Sequence, residues 1–413
     1  MKNFLFLLIA VLLGAQISCQ QETIKPAEKK IINLDEKSAQ LIESDNTFGL
    51  NLFKEVREMS NKENIMISPL SVSIALAMTY NGAAGDTKTE IEKVLQLNGL
   101  TPEQINNSYE ALIKALKSLD KDVVFEIANA IYYKTGFDVK QPFLDINSNY
   151  YDAEVNSLNF NLPSALVAIN GWVNEKTHQK IKKILEELSP DARMVLLNAI
   201  YFNGIWAVKF DKTGTKLRPF YKPDGTNNDV ATMHKESKFE YTLNELFDAV
   251  KLPYGSGQYN MIVMRPAKGK TSHDIINQLT AETWQKLTEE FVPVKHVSVS
   301  MPRFKFSFDI GLKEVLEKMG MVKAFDAQKA DFSNISDDDL YISKVIHKSF
   351  IDVNETGTEA AAVTAVVFST TSAGEEEKKI YFNVNKPFVF AITEKDTGAI
   401  LFIGEVQNPE YEL

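Results

Sequence analysis

Cysteine is nearly missing from this chain: its 413 residues contain one, Cys19, so no disulfide can form within it. Thiol catalysis goes with it, because that cysteine lies ahead of the part expected to fold. Histidine is scarce as well. The five, His178, His234, His273, His296 and His347, have no metal-ligand spacing, and none stands in an H-E-x-x-H arrangement. No G-x-S-x-G nucleophile elbow occurs. Gly269-Lys270-Thr271 ends like a phosphate loop, but Met264 occupies the position where the leading glycine is needed. No enzyme activity, metal or cofactor is expected, although 55 carboxylates leave a scattered acid pair open.

Linkers are missing too. No Pro/Gly/Ser-rich stretch, repeat or low-complexity run interrupts residues 45–413, so one large domain over 46–413 is expected rather than two or three. A hydrophobic share of 44% with 25 Phe supplies a sizeable core, and a net charge of -10 disfavours nucleic acid or an anionic membrane surface as partner. The densest basic spot, Lys180, Lys182 and Lys183, reads as a solvated face.

No apolar run is long enough to span a bilayer. Residues 1–18 read instead as an export signal: Lys2 supplies positive charge, Phe4 to Ala15 is apolar but short, and small residues follow. Cys19 after Ile17-Ser18 resembles a bacterial lipoprotein processing site, with Gln16 departing from the usual apolar residue; plain cleavage nearby is the alternative. An exported protein is expected, secreted or held at the outer membrane or cell surface through a lipid on Cys19, its only membrane attachment. Residues 19–45, largely polar and without aromatics, read as a flexible tether.

Helix signals come largely first. Ser68 caps a helix with Pro69 at its first position, and Leu70, Ile74, Ala77 and Met78 form its buried stripe before Gly82. Thr87 with Glu90 reads as a capping box for a second helix bearing Ile91, Val94 and Leu95, and Thr101-Pro102 with Gln104 starts a third. Strands dominate later. Val297, Val299 and Met301 alternate up to Pro302, where the phase shifts and Phe304, Phe306, Phe308 and Ile310 continue it, as a bend or bulge requires. Leu312, Val315, Leu316 and Met319 follow on a helix closed by Gly320. This order predicts an α+β fold.

The most informative stretch is Glu355 to Thr364, E-T-G-T-E-A-A-A-V-T. Ile351 and Val353 alternate as a half-buried strand, Gly357 gives a permissive hinge, and Thr358, Ala360, Ala362 and Thr364 share one face at period two. Ala362 to Thr371 is rich in Val and Thr and carries none of the Pro, Asn, Asp or Gly of a solvent loop. A helix through the alanines is the competing reading.

That segment resembles the reactive-centre hinge of the serpins, protease inhibitors that insert their own loop into a sheet after cleavage. Four further stretches agree: N-I-M-I-S-P-L-S-V-S-I-A-L-A-M-T-Y-N-G-A-A-G-D-T-K-T-E-I-E from Asn64, L-N-A-I-Y-F-N-G-I-W from Leu197, F-N-V-N-K-P-F from Phe382 and L-F-I-G-E-V-Q-N-P from Leu401. The resemblance implies a helical amino-terminal part on a large mixed main sheet, two smaller sheets, and an exposed reactive-centre loop over about 355–380. It also implies a monomer that traps target serine proteases irreversibly: the protease forms its acyl-enzyme on the loop, which then inserts as a new strand.

Residue by residue, the hinge would be Glu355, Gly357, Thr358, Glu359, Ala360, Ala361 and Ala362. Ser68, Ser71, Asn198 and His347 match a hydrogen-bonded cluster under the sheet opening, though plain capping and core satisfaction also account for them. Trp206, Arg303 and Glu355 match the top of the sheet, with Arg303 and Glu355 expected to pair. The family's spacing places the scissile bond at Thr371-Ser372, suited to elastase-like pockets. The following S-A-G-E-E-E-K-K-I is longer than usual, which leaves Phe368 as an alternative bait for chymotrypsin-like, subtilisin-like or papain-like cysteine proteases. Glu375, Glu376 and Glu377 read as a solvated charge run rather than a steering patch. A non-inhibitory serpin acting as a carrier or binding module is the runner-up.

Overall fold

The computed structural model describes residues 31–358 and 379–411, apart from Asn33 and Pro190. Among these, helices α1 (Glu36–Met59), α2 (Pro69–Tyr80), α3 (Gly85–Val94), α4 (Pro102–Lys117), α5 (Gln141–Tyr151) and α6 (Pro163–Lys176) occupy the first half. The short α7 (Ser272–Gln278), α8 (Ala281–Glu289) and α9 (Lys313–Met319) come later. Interleaved are strands β1 (Ile65–Ile67), β2 (Val123–Lys134), β3 (Ala153–Leu158), β4 (Met194–Ile205), β5 (Lys216–Tyr221), β6 (Asn227–Leu243), β7 (Phe247–Tyr254) and β8 (Tyr259–Pro266). The rest are β9 (Val292–Pro302), β10 (Phe304–Gly311), β11 (Ile346–Val353), β12 (Gly357–Thr358), β13 (Ile380–Asn383), β14 (Phe388–Glu394) and β15 (Ile400–Val406).

Two mixed sheets result, and the α+β expectation holds. A six-stranded sheet runs β10-β11-β12-β4-β2-β3, and a nine-stranded one runs β1-β15-β14-β8-β7-β6-β9-β13 with β5 paired to β6. The two smaller sheets expected beside the main one are continuous through the 17 residues of β6, which pair with β5 and β9 and then β7, shifting register between Ser237 and Phe239. The phase shift at Pro302 is the point where the chain changes sheets: Val297, Val299 and Met301 are buried in one, Phe304 and Phe308 in the other.

Three local expectations are corrected. The tether expected to reach residue 45 gives way to α1 at Glu36, whose first turn is capped by the Asp35 carboxylate accepting from Ser38 N–H at 2.7 Å. Leu41 and Ile42 are buried on that helix, spaced too thinly among polar residues to read as periodic. Thr87 and Glu90 form no capping box, because α3 begins two residues before Thr87. The Thr87 hydroxyl accepts instead from Asp331 N–H, and Glu90 takes the N–H groups of Val322 and Lys323. Finally, α2 has no one-sided stripe. All but one of its residues are buried, since it lies between the helical layer and both sheets. The Ser68 cap with Pro69, the Thr101–Gln104 capping box and the left-handed Gly320 closing α9 stand as expected.

Candidate functional site

β4 brings Asn198 under the amino-terminal end of α2. There Ser71 Oγ donates to Asn198 Oδ1, Asn198 Nδ2 donates to Asn129 Oδ1 at 2.7 Å, and Asn129 Nδ2 donates to the Tyr151 carbonyl at 2.6 Å. On the other side of the opening the Ser68 N–H donates to His347 Nε2 at 3.1 Å, and Ser68 Oγ donates to the Leu401 carbonyl at 2.7 Å. Ser349 Oγ on β11 donates to the Met66 carbonyl. Burial alone drives the His347 imidazole down to about 4, so it is neutral and accepts at Nε2. Ser68 and Ser71 thus each anchor one side: β11 through His347, β4 through Asn198. Hydroxyls and amides of this kind can exchange partners when strands separate.

At the top of the sheet, Trp206 directly follows β4. Its indole N–H donates to the Asn354 carbonyl at 2.8 Å, its backbone N–H donates to Thr356 O, and its ring stacks on Tyr254 at 4.3 Å. Gly357 is required here by close approach: a Cβ would stand 2.1 Å from the Gly204 carbonyl oxygen. Thr358 is buried, shares a 2.5 Å hydroxyl contact with Tyr254, and pairs with Gly204 on one side and Val353 on the other. Glu355 is buried and accepts from Thr215 Oγ1 at 2.6 Å, with Arg303 Nη1 at 3.7 Å. The expected Arg303–Glu355 pair therefore exists, beyond hydrogen-bond length.

Below Thr358 nothing pairs β4 with β11 among the described residues. The space between them is a narrow cavity of about 20 Å³, lined by Ile200 and Phe202 from β4 and Phe350 and Ile351 from β11. That is room for about one water molecule, so the strands must part before any side chain enters. The chain after α6 crosses over the gap. His178 packs against Tyr201 with ring centroids 4.2 Å apart and meets Glu126 at 3.0 Å, while Lys180 lies over the Phe350 ring and Lys348 Nζ donates to the Lys183 carbonyl. The basic spot is exposed, yet part of it straps the two strands together.

Ser68, Ser71, Asn198 and His347 gather into one cluster, and Trp206, Arg303, Glu355, Gly357 and Thr358 into a second. The hinge residue Gly357 and Thr358, the first of the residues expected to face the sheet interior after insertion, are already strand residues in the intact sheet. Glu359, Ala360, Ala361, Ala362, Phe368, Thr371, Ser372 and Cys19 lie outside the described residues. The sequence reading missed Asn129, Ser349, Thr215 and Tyr254. Asn129 alone left a signal, an amide inside the apolar run I-A-N-A-I of β2.

The profile of the serpin (serine protease inhibitor) family matches residues 43–409. Serpin B6 of Pongo abelii is 36% identical over 377 residues, covering 89% of this chain and 99% of its own. The native state of tengpin, a thermophilic serpin, superposes with a TM-score of 0.82 at 34% identity, covering 93% of this chain and 97% of that one. A complex of thyroxine-binding globulin with thyroxine gives 0.79 at 28% identity, covering 90% and 100%. With the family profile matching residues 43–409 and a relative 36% identical over 89% of the chain, the chain belongs to the serpin family.

Proposed function

We propose that this protein is a suicide inhibitor of serine proteases, trapping the acyl-enzyme by inserting its cleaved loop between β4 and β11. The observation that supports the reading is β12: the residues at the start of the loop sequence form a two-residue strand paired on both edges. On insertion in the same register, Ala360 would stand opposite Phe202 and Ile351, Ala362 opposite Ile200 and Ser349, and Thr364 opposite Asn198 and His347. Val366 and Phe368 complete the same inward face. None of these six positions from Thr358 is charged or proline, so each can be buried without a partnerless ion or a blocked ladder. Thr364 would bring a hydroxyl to the cluster where Ser71 and Ser68 now bond.

The attacked bond is proposed to be Thr371-Ser372, which suits elastase-like enzymes, with Phe368 the alternative for chymotrypsin-like, subtilisin-like or papain-like enzymes. The protein would act as a monomer outside the cytoplasm, anchored by a lipid on Cys19 or released by signal cleavage. The likeness to thyroxine-binding globulin, which binds thyroxine, favours a second reading as a carrier or binding module. Incubation with elastase and with subtilisin, followed by a denaturing gel and mass spectrometry of the released peptide, separates the two. An inhibitor gives a band near the summed mass and a peptide beginning at Ser372 or after Phe368. A carrier gives clean cleavage or none.

A further inference from the structure

Arg303 sits where the chain passes from β9 in one sheet to β10 in the other, fixed by its N–H donating to Ala231 O at 2.8 Å. Its side chain is only 18% exposed, and its guanidinium carbon lies over the Tyr411 ring, 3.7 Å from the centroid. A buried guanidinium normally spends its N–H groups on carboxylates or carbonyls. Among the described residues Nε has no hydrogen-bond partner, and the carboxylate paired with the guanidinium, Glu355 Oε1 at 3.7 Å, is already taken by Thr215 Oγ1. Beside it opens a cleft of about 540 Å³, bounded by the turn of Asn354 and Glu355 on one side and by Lys212 and Lys216 on the other. Three cations thus face one engaged carboxylate, on a protein whose net charge is -10.

We propose that this cleft binds a small multivalent oxyanion, a di- or tricarboxylate or an oligophosphate. The guanidinium held over Tyr411 presents its planar fork to one anionic group, and the lysines at the mouth of the cleft take the second. A bound anion would join β5 to the segment that leads into β12. The site is independent of the inhibitory reading, because binding there needs neither cleavage of the loop nor a protease.

The test is isothermal titration calorimetry of the full chain with citrate and, separately, with pyrophosphate, at ionic strength held constant with sodium chloride. Saturable one-to-one binding of at least one probe is expected. Citrate alone would assign carboxylates, pyrophosphate alone phosphates, and both the shared chemistry. The double variant Lys212→Glu/Lys216→Glu, altered only at exposed positions, is expected to weaken binding about tenfold or more. Arg303→Lys, which keeps the charge and loses the fork, should weaken it about as much. Absence of saturable binding by either probe, or equal affinity in wild type and the double lysine variant, would overturn the proposal.

Discussion

The two sheets are built for opposite ends. In the nine-stranded sheet every residue of β14 and β15 is buried, β7 and β8 pair along their whole length, and Phe388 and Phe390 of β14 carry Phe304 of β10 in the other sheet at 5.7 and 5.4 Å. In the six-stranded sheet the ladder between β4 and β11 runs, among the described residues, only through the two residues of β12, over a cluster of serines, asparagines and one neutral histidine. Close apolar packing has no second arrangement of equal energy, whereas hydrogen bonds can pass from one partner to another. On the proposed mechanism the six-stranded sheet is the part that opens, carried by a sheet that stays as it is.

The largest effect should come from blocking the parting sheet from within. Thr364→Arg would place a charge between Asn198 and His347 on insertion, at a cost of several kcal/mol for a buried unpaired ion. The variant should be cut as a substrate, with adduct yield on denaturing gels reduced about tenfold or more; unchanged yield would count against the register. Phe390→Ala addresses the permanent sheet. It should lower unfolding free energy in urea by about 3–5 kcal/mol while leaving the ratio of adduct to cleaved product unaltered. A changed ratio would mean the two sheets are not separable.

Acidity should act on the parting sheet through His347. Its folded value near 4 lies below the ordinary 6.5, so the neutral imidazole contributes stability that is complete above pH 6.5 and lost as pH falls toward 4. Asp45 on α1 works the other way. Burial raises its carboxyl to about 7 despite the hydroxyl of Tyr109, so the neutral acid stabilises below pH 4 and that contribution is lost as pH rises to 7. Each amounts to about 3–4 kcal/mol at most. Melting temperature against pH should therefore steepen in opposite directions for His347→Asn and Asp45→Asn; parallel shifts would refute the pairing. The smallest effect is Asn198→Ala, which strands Ser71 Oγ and Asn129 Oδ1 and should cost about 1–3 kcal/mol in the intact protein.

How much of this was legible in the sequence depended on how local each signal is. Ser68-Pro69 and Thr101-Pro102 with Gln104 could be read because a cap is decided within four residues. Thr87 and Glu90 have the same spacing, but their partners, Asp331, Val322 and Lys323, lie more than 200 residues away, so pattern alone misassigned them. The start of α1 was hidden for a related reason: its buried face depends on α2 and α4 packing against it, not on its own hydrophobicity. Ser71, Asn198 and His347 were found only through the family resemblance, and Tyr254 and Thr215 not at all. A tyrosine in a buried strand carries no mark saying that its hydroxyl will meet Thr358.

Thermal unfolding of the protein before and after a single cut in its loop by a non-target protease tests the central claim most directly. If the cut loop fills the gap between β4 and β11, the cleaved form should melt well above the intact one, since it gains a full strand of ladder hydrogen bonds and apolar contacts. An unchanged or lower melting temperature, with the loop shown to be cut, would contradict it.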